Sequence, residues 1–401
     1  MTILFVNKFL FPRGGDFVYM HALAQGLQQM GHQVHYFGMQ HPDNVVARGE
    51  EKFLPRWMDF NDLHRGERLE AVGRLFGVGE VRRLMCKALD EWKPQVVVLN
   101  NIHSYLSPIV AQLAKQRGCR VVWTLHDYKL LCPTYLLRCR GERCEACLTR
   151  PSAVIARKCM KESLPASVLA WAESTFWSKK KLSEWTDLFI CPSRFMHGMM
   201  LKAGFKEEQL SVLPNFVSRE KAAFIRNIGG RERKEGAYAY IGRLSEEKGI
   251  EPLLRVASNL PYKLYIAGSG PLEEELRKKY TAPNILFLGK IAAEEVIRLM
   301  KRVHFCVAPS VCPDNCPLSV LESMACGTPV LGRRVGGIPD LLTASSLNRL
   351  FETDAEMASG IHELFTQSLS IPEREILSCE TLQHFSAERY LQTYLPLLTD
   401  I

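Results

Sequence analysis

Two short stretches of this chain hold acids and bases at spacings suited to gripping a phosphorylated ligand. The first runs Pro309-Ser310-Val311-Cys312-Pro313-Asp314-Asn315-Cys316-Pro317-Leu318-Ser319-Val320-Leu321-Glu322. A strand ends ahead of it, and Pro317 suits the first turn of a helix, where the missing N–H of proline costs nothing. The N–H groups of Cys316, Leu318 and Ser319 would then face an anion with the helix dipole behind them. Asp314 lies on the loop and Glu322 inside the helix, so two carboxylates flank one ligand. The second stretch, Tyr240-Ile241-Gly242-Arg243-Leu244-Ser245-Glu246-Glu247-Lys248-Gly249, leaves Arg243 and Lys248 at the carboxyl end of a strand. Two fixed cations there would stabilise the negative charge that develops on a departing diphosphate.

Other polar residues stand at strand ends too. Gly268 and Gly270 follow an apolar strand in Ala267-Gly268-Ser269-Gly270-Pro271, a pattern that by itself reads as a tight turn. Gly14 and Gly15, in Pro12-Arg13-Gly14-Gly15-Asp16, separate the first strand from the first helix and let backbone approach a ligand. They lack the G-x-G-x-x-G spacing of a dinucleotide site, which counts against a nicotinamide enzyme. His126 ends a buried strand; a lone histidine is structural by default. Asn101 and His103 follow the strand before it and are candidates to reach an acceptor. Beyond His126 come Cys132, Cys139, Cys144, Cys147 and Cys159 in a stretch rich in charge and poor in core formers. Cys144-Glu145-Ala146-Cys147 has knuckle spacing, and two further thiolates would complete a tetrahedral zinc site; an iron–sulfur cluster would use the same ligands. Arg138, Arg140, Arg143, Arg150, Arg157 and Lys158 would offset the charge of four thiolates.

The elements that must position these residues alternate regularly. Apolar strand-length runs at Ile3 to Asn7, Gln33 to Gly38, Gln95 to Asn100, Arg120 to Leu125 and Leu188 to Cys191 are separated by helix-like stretches. The first of these is Asp16 to Met30, closed by Gly31. After a charged stretch through Arg231 to Gly236 the alternation restarts at Tyr238 to Gly242, Lys263 to Gly268, Ile285 to Gly289 and Phe305 to Pro309. The pattern predicts α/β architecture with two doubly wound parallel sheets. Their ligands would sit beyond the carboxyl ends of the strands, in a cleft between two facing domains.

A chain of 401 residues, 47% hydrophobic and 23% charged, suits two domains. Its net charge of +8 is uneven: 29 Lys and Arg against 20 Asp and Glu through Ser218, and 22 against 23 afterwards. A basic first half fits phosphates or an anionic membrane, and Trp171, Phe176, Trp177, Lys179, Lys180, Lys181 and Trp185 add the aromatic and basic mix of an interface. No zinc-finger, RNP or helix-turn-helix signal accompanies the charge, so nucleic acid is not an expected partner. The sequence shows neither an apolar membrane span nor a signal peptide, so a cytoplasmic protein is expected, with peripheral attachment to the inner face of the membrane. The 13 cysteines should then stay reduced.

Taken together, the acidic segment resembles the E-x7-E signature of family 4 glycosyltransferases, with Asp314 where that family usually has glutamate and Pro317 where glycine is common. Gly242, Arg243, Lys248 and Gly249 match its G-R-x4-K-G motif. Cys191-Pro192-Ser193-Arg194-Phe195, Leu213-Pro214-Asn215-Phe216-Val217 and Gly336-Gly337-Ile338-Pro339-Asp340 also stand in family positions. The resemblance implies a GT-B fold with an acceptor domain over 1–210, carrying the Cys-rich insertion at about 130–163. A donor domain over 211–380 and a C-terminal helix over 381–401 returning to the first domain complete it. It implies a retaining enzyme that moves a sugar from a nucleotide sugar, uridine first and guanosine second, to a glycan or lipid-linked acceptor in surface polysaccharide or glycoconjugate synthesis. Arg243 and Lys248 would clasp the diphosphate, Glu322 the ribose and Asp314 the sugar. His126 would bond the sugar near its reacting carbon, while Gly14, Gly15, Gly268 and Gly270 border the donor. No metal is implied for the chemistry. Relatives sharing Leu131-Cys132-Pro133 and Cys159-Met160-Lys161-Glu162-Ser163 point to Cys132 and Cys159 as partners of Cys144 and Cys147 around a structural zinc, leaving Cys139 spare. The rival reading is a catalytically silent sugar-nucleotide or glycan-binding protein of the same fold.

Overall fold

The computed structural model describes residues 1–401 apart from 61, 63, 229–235, 368 and 400–401. All of the charged stretch expected from Arg231 to Gly236, save Gly236, lies outside the described residues. The chain divides into two compact units, 1–213 with 391–401, and 214–390.

The first unit is built on a six-stranded parallel sheet of β1 (Thr2–Val6), β2 (Gln33–Phe37), β3 (Val96–Leu99), β4 (Arg120–Thr124), β7 (Leu188–Cys191) and β8 (Leu210–Val212), with β5 (Arg138–Cys139) and β6 (Glu142–Arg143) forming a separate antiparallel hairpin. The order is β2-β1-β3-β4-β7-β8. In register, Phe5 lies beside Tyr36 on one side and Val98 on the other, and Val98 beside Val122. All of Val96–Leu99 is buried, as a strand covered on both faces requires. The helix Gly15–Gln29 buries Phe17, Met20, Leu23, Ala24 and Leu27, a 3.6-residue stripe, and Gly31 stops it at φ +86°. Ser193 caps the helix that follows β7, its hydroxyl accepting from Met196 N at 3.1 Å.

The second unit repeats the plan with β9 (Ala237–Ile241), β10 (Lys263–Ala267), β11 (Ile285–Gly289), β12 (Cys306–Ala308), β13 (Val330–Arg333) and β14 (Arg349–Phe351), in the parallel order β11-β10-β9-β12-β13-β14. The second unit runs to Tyr390 rather than 380. The helix Ile371–His384 packs on Leu318–Ala325, Ser378 bonding the carbonyl of Ala325, and Leu377, Leu382 and Phe385 join that core. The last helix, Ala387–Thr399, is shared: from Leu391 its residues belong to the first unit, where Arg120 Nε donates to the Leu397 carbonyl at 3.0 Å. Among the described residues, no helix is long and apolar enough to cross a membrane.

The Cys-rich segment has little core. It holds the β5–β6 hairpin and two short helices, Ala146–Thr149 and Ala153–Ala156, around Cys147, Ala153 and Val154. Tyr135, Leu137, Arg140, Lys158, Lys161 and Glu162 all take positive φ, a conformation that costs side-chain-bearing residues roughly 1–2 kcal/mol each.

Candidate active site

In the second unit the two sequence stretches meet. Lys248 donates to both oxygens of Asp314, at 2.6 and 2.9 Å, and Ser310 Oγ donates to Asp314 Oδ2 at 2.6 Å. Burial works against the Lys248 ammonium, but Asp314 and Glu247 outweigh it and hold its pKa above the usual lysine value. Main chain ties the loops together: the Glu247 carbonyl accepts from Val311 N and Cys312 N, and Gly337 N donates to the Asp314 carbonyl at 2.6 Å. Gly336, at φ +60°, lies so close that a Cβ there would stand 2.4 Å from that same oxygen.

Arg243 is exposed, and among the described residues its guanidinium has no ion-pair partner. Its carbonyl accepts from Tyr240 Oη at 2.7 Å, which fixes the backbone and leaves the side chain to a ligand. Gly268 and Gly270 have a packing reason to be glycine. A Cβ on Gly268, at φ +143°, would stand 1.9 Å from the Gly242 carbonyl oxygen, and one on Gly270 would stand 2.3 Å from that of Leu244. The two turns are stacked backbone on backbone, with Leu244 N donating to the Ser269 carbonyl.

The helix Leu318–Ala325 starts directly after Pro317, as the sequence predicts, with Leu318 and Ser319 partly exposed at its start. Cys316 is turned inward: its sulfur and carbonyl accept from Asn215 N and Nδ2 at 3.2 and 2.7 Å, and burial pushes its thiol up to about 12. Only its backbone N–H suits an anion. Glu322 is buried and paired through Oε1 with Lys221. Sequence reasoning missed Lys221, because nothing in local spacing marks a lysine that meets its acid 101 residues later.

In the first unit, polar groups collect at the carboxyl ends of β1, β3 and β4. His126 Nε2 lies 2.9 Å from Asn100 Oδ1, and its ring meets Tyr19 edge-on at 5.1 Å. Burial lowers its pKa against the pull of Asp16 and Asp127, so the ring is neutral, and with Nε2 donating, Nδ1 is an acceptor. Asn101 N donates to Asn7 Oδ1 at 2.9 Å. Asn100 Nδ2, Asn101 Oδ1 and Asp16 Oδ2 are buried, with no hydrogen-bond partner among the described residues. Buried polar atoms are nearly always satisfied, so these three, among others spread through both units, are open to a ligand or to water. Gly14 and Gly15 are exposed beside them at the start of the first helix. Lys8 and Asn100, which sequence reasoning passed over, had a signal: each is a polar residue that closes or directly follows an apolar strand.

His103 stands beside this group, with Asp127 and Lys8 acting on it as they act on His126. Its ring stacks on Trp123 at 5.5 Å, lies 3.7 Å from Asp127, and burial lowers its pKa to about 4. It lines a largely apolar cavity of about 350 Å³ under the Cys-rich segment, beside the buried Lys129–Glu173 pair, with Leu131, Leu148 and Trp177.

The expected zinc ligands share one region of the Cys-rich segment, each with its own contact. Cys132 lies 3.2 Å from Thr134 Oγ1, Cys144 accepts from Arg157 at 3.0 Å, and Cys159 approaches Cys139, the thiol expected to be spare, at 3.7 Å. Burial first, and then the neighbouring thiols, Cys132 and Cys144 beside Cys147 and Cys139, Cys147 and Cys144 beside Cys159, push the Cys147 and Cys159 thiols up to about 11 and 12. Among the described residues no group of three or more His, Cys, Asp or Glu side chains is placed to hold an ion with these side-chain positions, so ligation would require the thiols to turn from the contacts seen here. The stretch read as a membrane interface also differs. Trp177 is buried, donating to the Leu75 carbonyl, and Lys179 caps the Leu148 and Ala203 carbonyls, while Phe176 and Lys180 remain exposed.

Two units of this kind, each a six-stranded parallel sheet with its polar groups at the carboxyl ends of the strands, have the fold of GT-B glycosyltransferases. The chain superposes over its full length on Anabaena Alr3699/HepE in complex with UDP and glucose, with a TM-score of 0.65 at 17% identity, covering 99% of that chain. On sucrose-phosphate synthase from Thermosynechococcus elongatus the TM-score is 0.68 at 17% identity, over 99% of this chain and 98% of the other. At these identities the likeness is one of fold.

The sequence carries the matter further. The family model Glycosyltransferase Family 4 matches residues 13–221, and Glycosyl transferases group 1 matches 236–367. The chain belongs to the family 4 glycosyltransferases. It is 24% identical, over 98% of its length and 100% of the other, to an uncharacterized 42.6 kDa protein in the cps region of Klebsiella pneumoniae. It is 28% identical to the sulfoquinovosyl transferase SQD2 of Arabidopsis thaliana over 45% of this chain and 37% of that one. With the alpha-monoglucosyldiacylglycerol synthase of Streptococcus pneumoniae it shares 25% identity over 51% of this chain and 50% of the other. The chain thus spans half or less of the length of these two named enzymes.

Proposed function

We propose that this glycosyltransferase is a retaining enzyme that moves a sugar from a nucleotide sugar, UDP-linked in the first instance, to a glycan or lipid-linked acceptor in surface polysaccharide or glycoconjugate synthesis. The observation that carries the reading is the cluster of the second unit: Lys248 held on Asp314, Arg243 projecting from a fixed backbone, and Glu322 in the helix behind. Arg243 and Lys248 offset charge on the leaving diphosphate as the bond from the sugar's anomeric carbon to phosphate oxygen breaks. The acceptor oxygen bonds that carbon, and its proton passes to the departing phosphate. Glu322 keeps one carboxylate oxygen beyond its bond to Lys221 for the ribose hydroxyls, and neutral His126 offers Nδ1 to a sugar hydroxyl.

In this proposal the two side-chain cations supply the charge a metal would bring, and the protein attaches peripherally to an anionic membrane at the inner face of the cell. Incubation with a panel of nucleotide sugars and acceptors, with NMR of the first-formed glycoside, tests the mechanism. The product anomer should match the donor's. An inverted product overturns it.

A further inference from the structure

The loops after β1 and β2 carry a feature that the donor chemistry leaves unused. Phe9, Phe11, His41, Trp57 and Tyr105 form one aromatic group: Phe9 meets Trp57 at 5.6 Å and Tyr105 at 5.5 Å, Phe11 stacks on His41 at 4.3 Å, and His41 meets Trp57 at 4.5 Å. Phe9 is buried, whereas the other rings are partly exposed. A hollow of about 650 Å³ opens beside Trp57, lined also by His41, Pro42, Asn44 and Arg48.

Two cations are braced on these rings. The Arg13 guanidinium sits 4.4 Å from the centre of Phe9 and 5.9 Å from Trp57, and the Lys8 ammonium 5.3 Å from both Phe9 and Tyr105. Among the described residues neither has a carboxylate within ion-pair distance. Nearby arginines do: Arg56 is paired with Glu70, and Arg74 with Glu70 and Glu80. The acids that act on Lys8, Asp127 and Asp16, do so at longer range and do not make up for its burial, which lowers its pKa. A desolvated ammonium without a contact anion is costly, and ring faces repay only part of that cost. An arriving anion would satisfy it. Aromatic faces beside the cations suit the C–H faces of a sugar ring.

We infer that these loops form an acceptor subsite for a sugar bearing an anionic group, carboxylate or phosphate, with Arg13 and Lys8 as its cations, the partly exposed Trp57 and Tyr105 as its platform, and buried Phe9 bracing the cations from beneath. The subsite rests on the glycosyltransferase reading and adds the acceptor's charge to it. A planar guanidinium grips either oxyanion through two parallel hydrogen bonds, which a neutral hydroxymethyl group cannot supply.

The test compares three probes on the whole protein in the presence of UDP: methyl glucoside, methyl glucuronide, which differs from it only by the carboxylate, and glucose 6-phosphate. Binding is read by calorimetry, with UDP binding recorded on the same samples. We expect one of the charged sugars to bind about tenfold or more tighter than the glucoside, with the stronger of the two naming the anion. Arg13→Gln and Lys8→Met should each cut that preference to about threefold or less. Equal affinity for all three probes, binding of none, or a preference that survives both substitutions overturns the subsite. UDP binding distinguishes the two ideas: its loss with the preference intact sinks the donor reading alone, and UDP binding without any preference sinks the subsite alone.

Discussion

Replacing Lys248 with methionine keeps an unbranched side chain of similar length but removes the ammonium that holds Asp314 at 2.6 and 2.9 Å. Two of its three N–H bonds serve the acid, and the third is left for a phosphate oxygen. A hydrogen bond to a charged group contributes about 1.5–3 kcal/mol, so UDP should bind Lys248→Met roughly 10- to 150-fold more weakly. Asp314→Asn should act differently, because it removes an anion facing the phosphate while keeping the ammonium; UDP binding near pH 7 should be no weaker than in the wild type. The pH profile gives the sign. In the wild type Asp314 and Glu247 hold the Lys248 pKa above the usual lysine value in spite of burial. A lysine with a raised folded pKa keeps its contribution below the unfolded value and loses it only as pH rises through the folded one. The Lys248 contribution to wild-type UDP binding should thus persist through the ordinary lysine range. In Asp314→Asn burial, the largest influence, is opposed by less charge, so the pKa falls and binding declines from a lower pH. Calorimetry across that range checks both. Lys248→Met binding UDP within about twofold of wild type, or Asp314→Asn keeping the wild-type profile, would refute the reasoning.

Gly268→Ala should destabilise the protein by roughly 2–6 kcal/mol in urea, since the new Cβ meets the Gly242 carbonyl oxygen at 1.9 Å and φ is +143°. Gly118→Ala, at φ +74° with nothing within 4 Å, should cost only about 1–2 kcal/mol; equal losses would contradict the packing account. Freshly purified protein should contain about one zinc per chain, because the Cys-rich segment has a core of only Cys147, Ala153 and Val154 to fold around. That result would mean that thiolate ligation replaces the contacts seen here, and a metal-free, folded segment by elemental analysis rejects it. The protein should sediment with anionic vesicles at low salt and be released by roughly 0.5 M salt, with Lys180→Glu weakening the attachment; sedimentation indifferent to lipid charge sinks the membrane proposal.

Most of the fold was legible because buried parallel strands are written as contiguous apolar runs. Val96–Leu99 and Leu188–Cys191 need no partner to be read. Leu210–Val212, Val330–Arg333 and Arg349–Phe351 were not, since each is short and includes polar or exposed residues whose place is set by neighbouring strands. In the candidate site, Arg243 and Lys248 stood out as cations at a strand end, and Asp314 and Glu322 as acids on the loop and inside the helix that follows it. The Lys221–Glu322 and His126–Asn100 contacts did not, because each joins residues distant in sequence. Trp177 was read as part of an aromatic and basic interface, and packing put it inside.

The stacked turns of the second unit bear on how such a protein changes over generations. Gly268 lies against the Gly242 carbonyl, Gly270 against that of Leu244, and Gly336 against that of Asp314, while Glu247 and Gly337 add bonds that are also main chain to main chain. Main-chain contacts therefore position the loops alongside the Lys248–Asp314 and Ser310–Asp314 bonds. Inheritance can revise many of the side chains the loops display one at a time while the frame beneath them stays put. The glycines bear the opposite constraint. Drift is open to the residues that touch ligand and closed to the ones that touch nothing but backbone, so new specificities can arise here without a refolding of the loop.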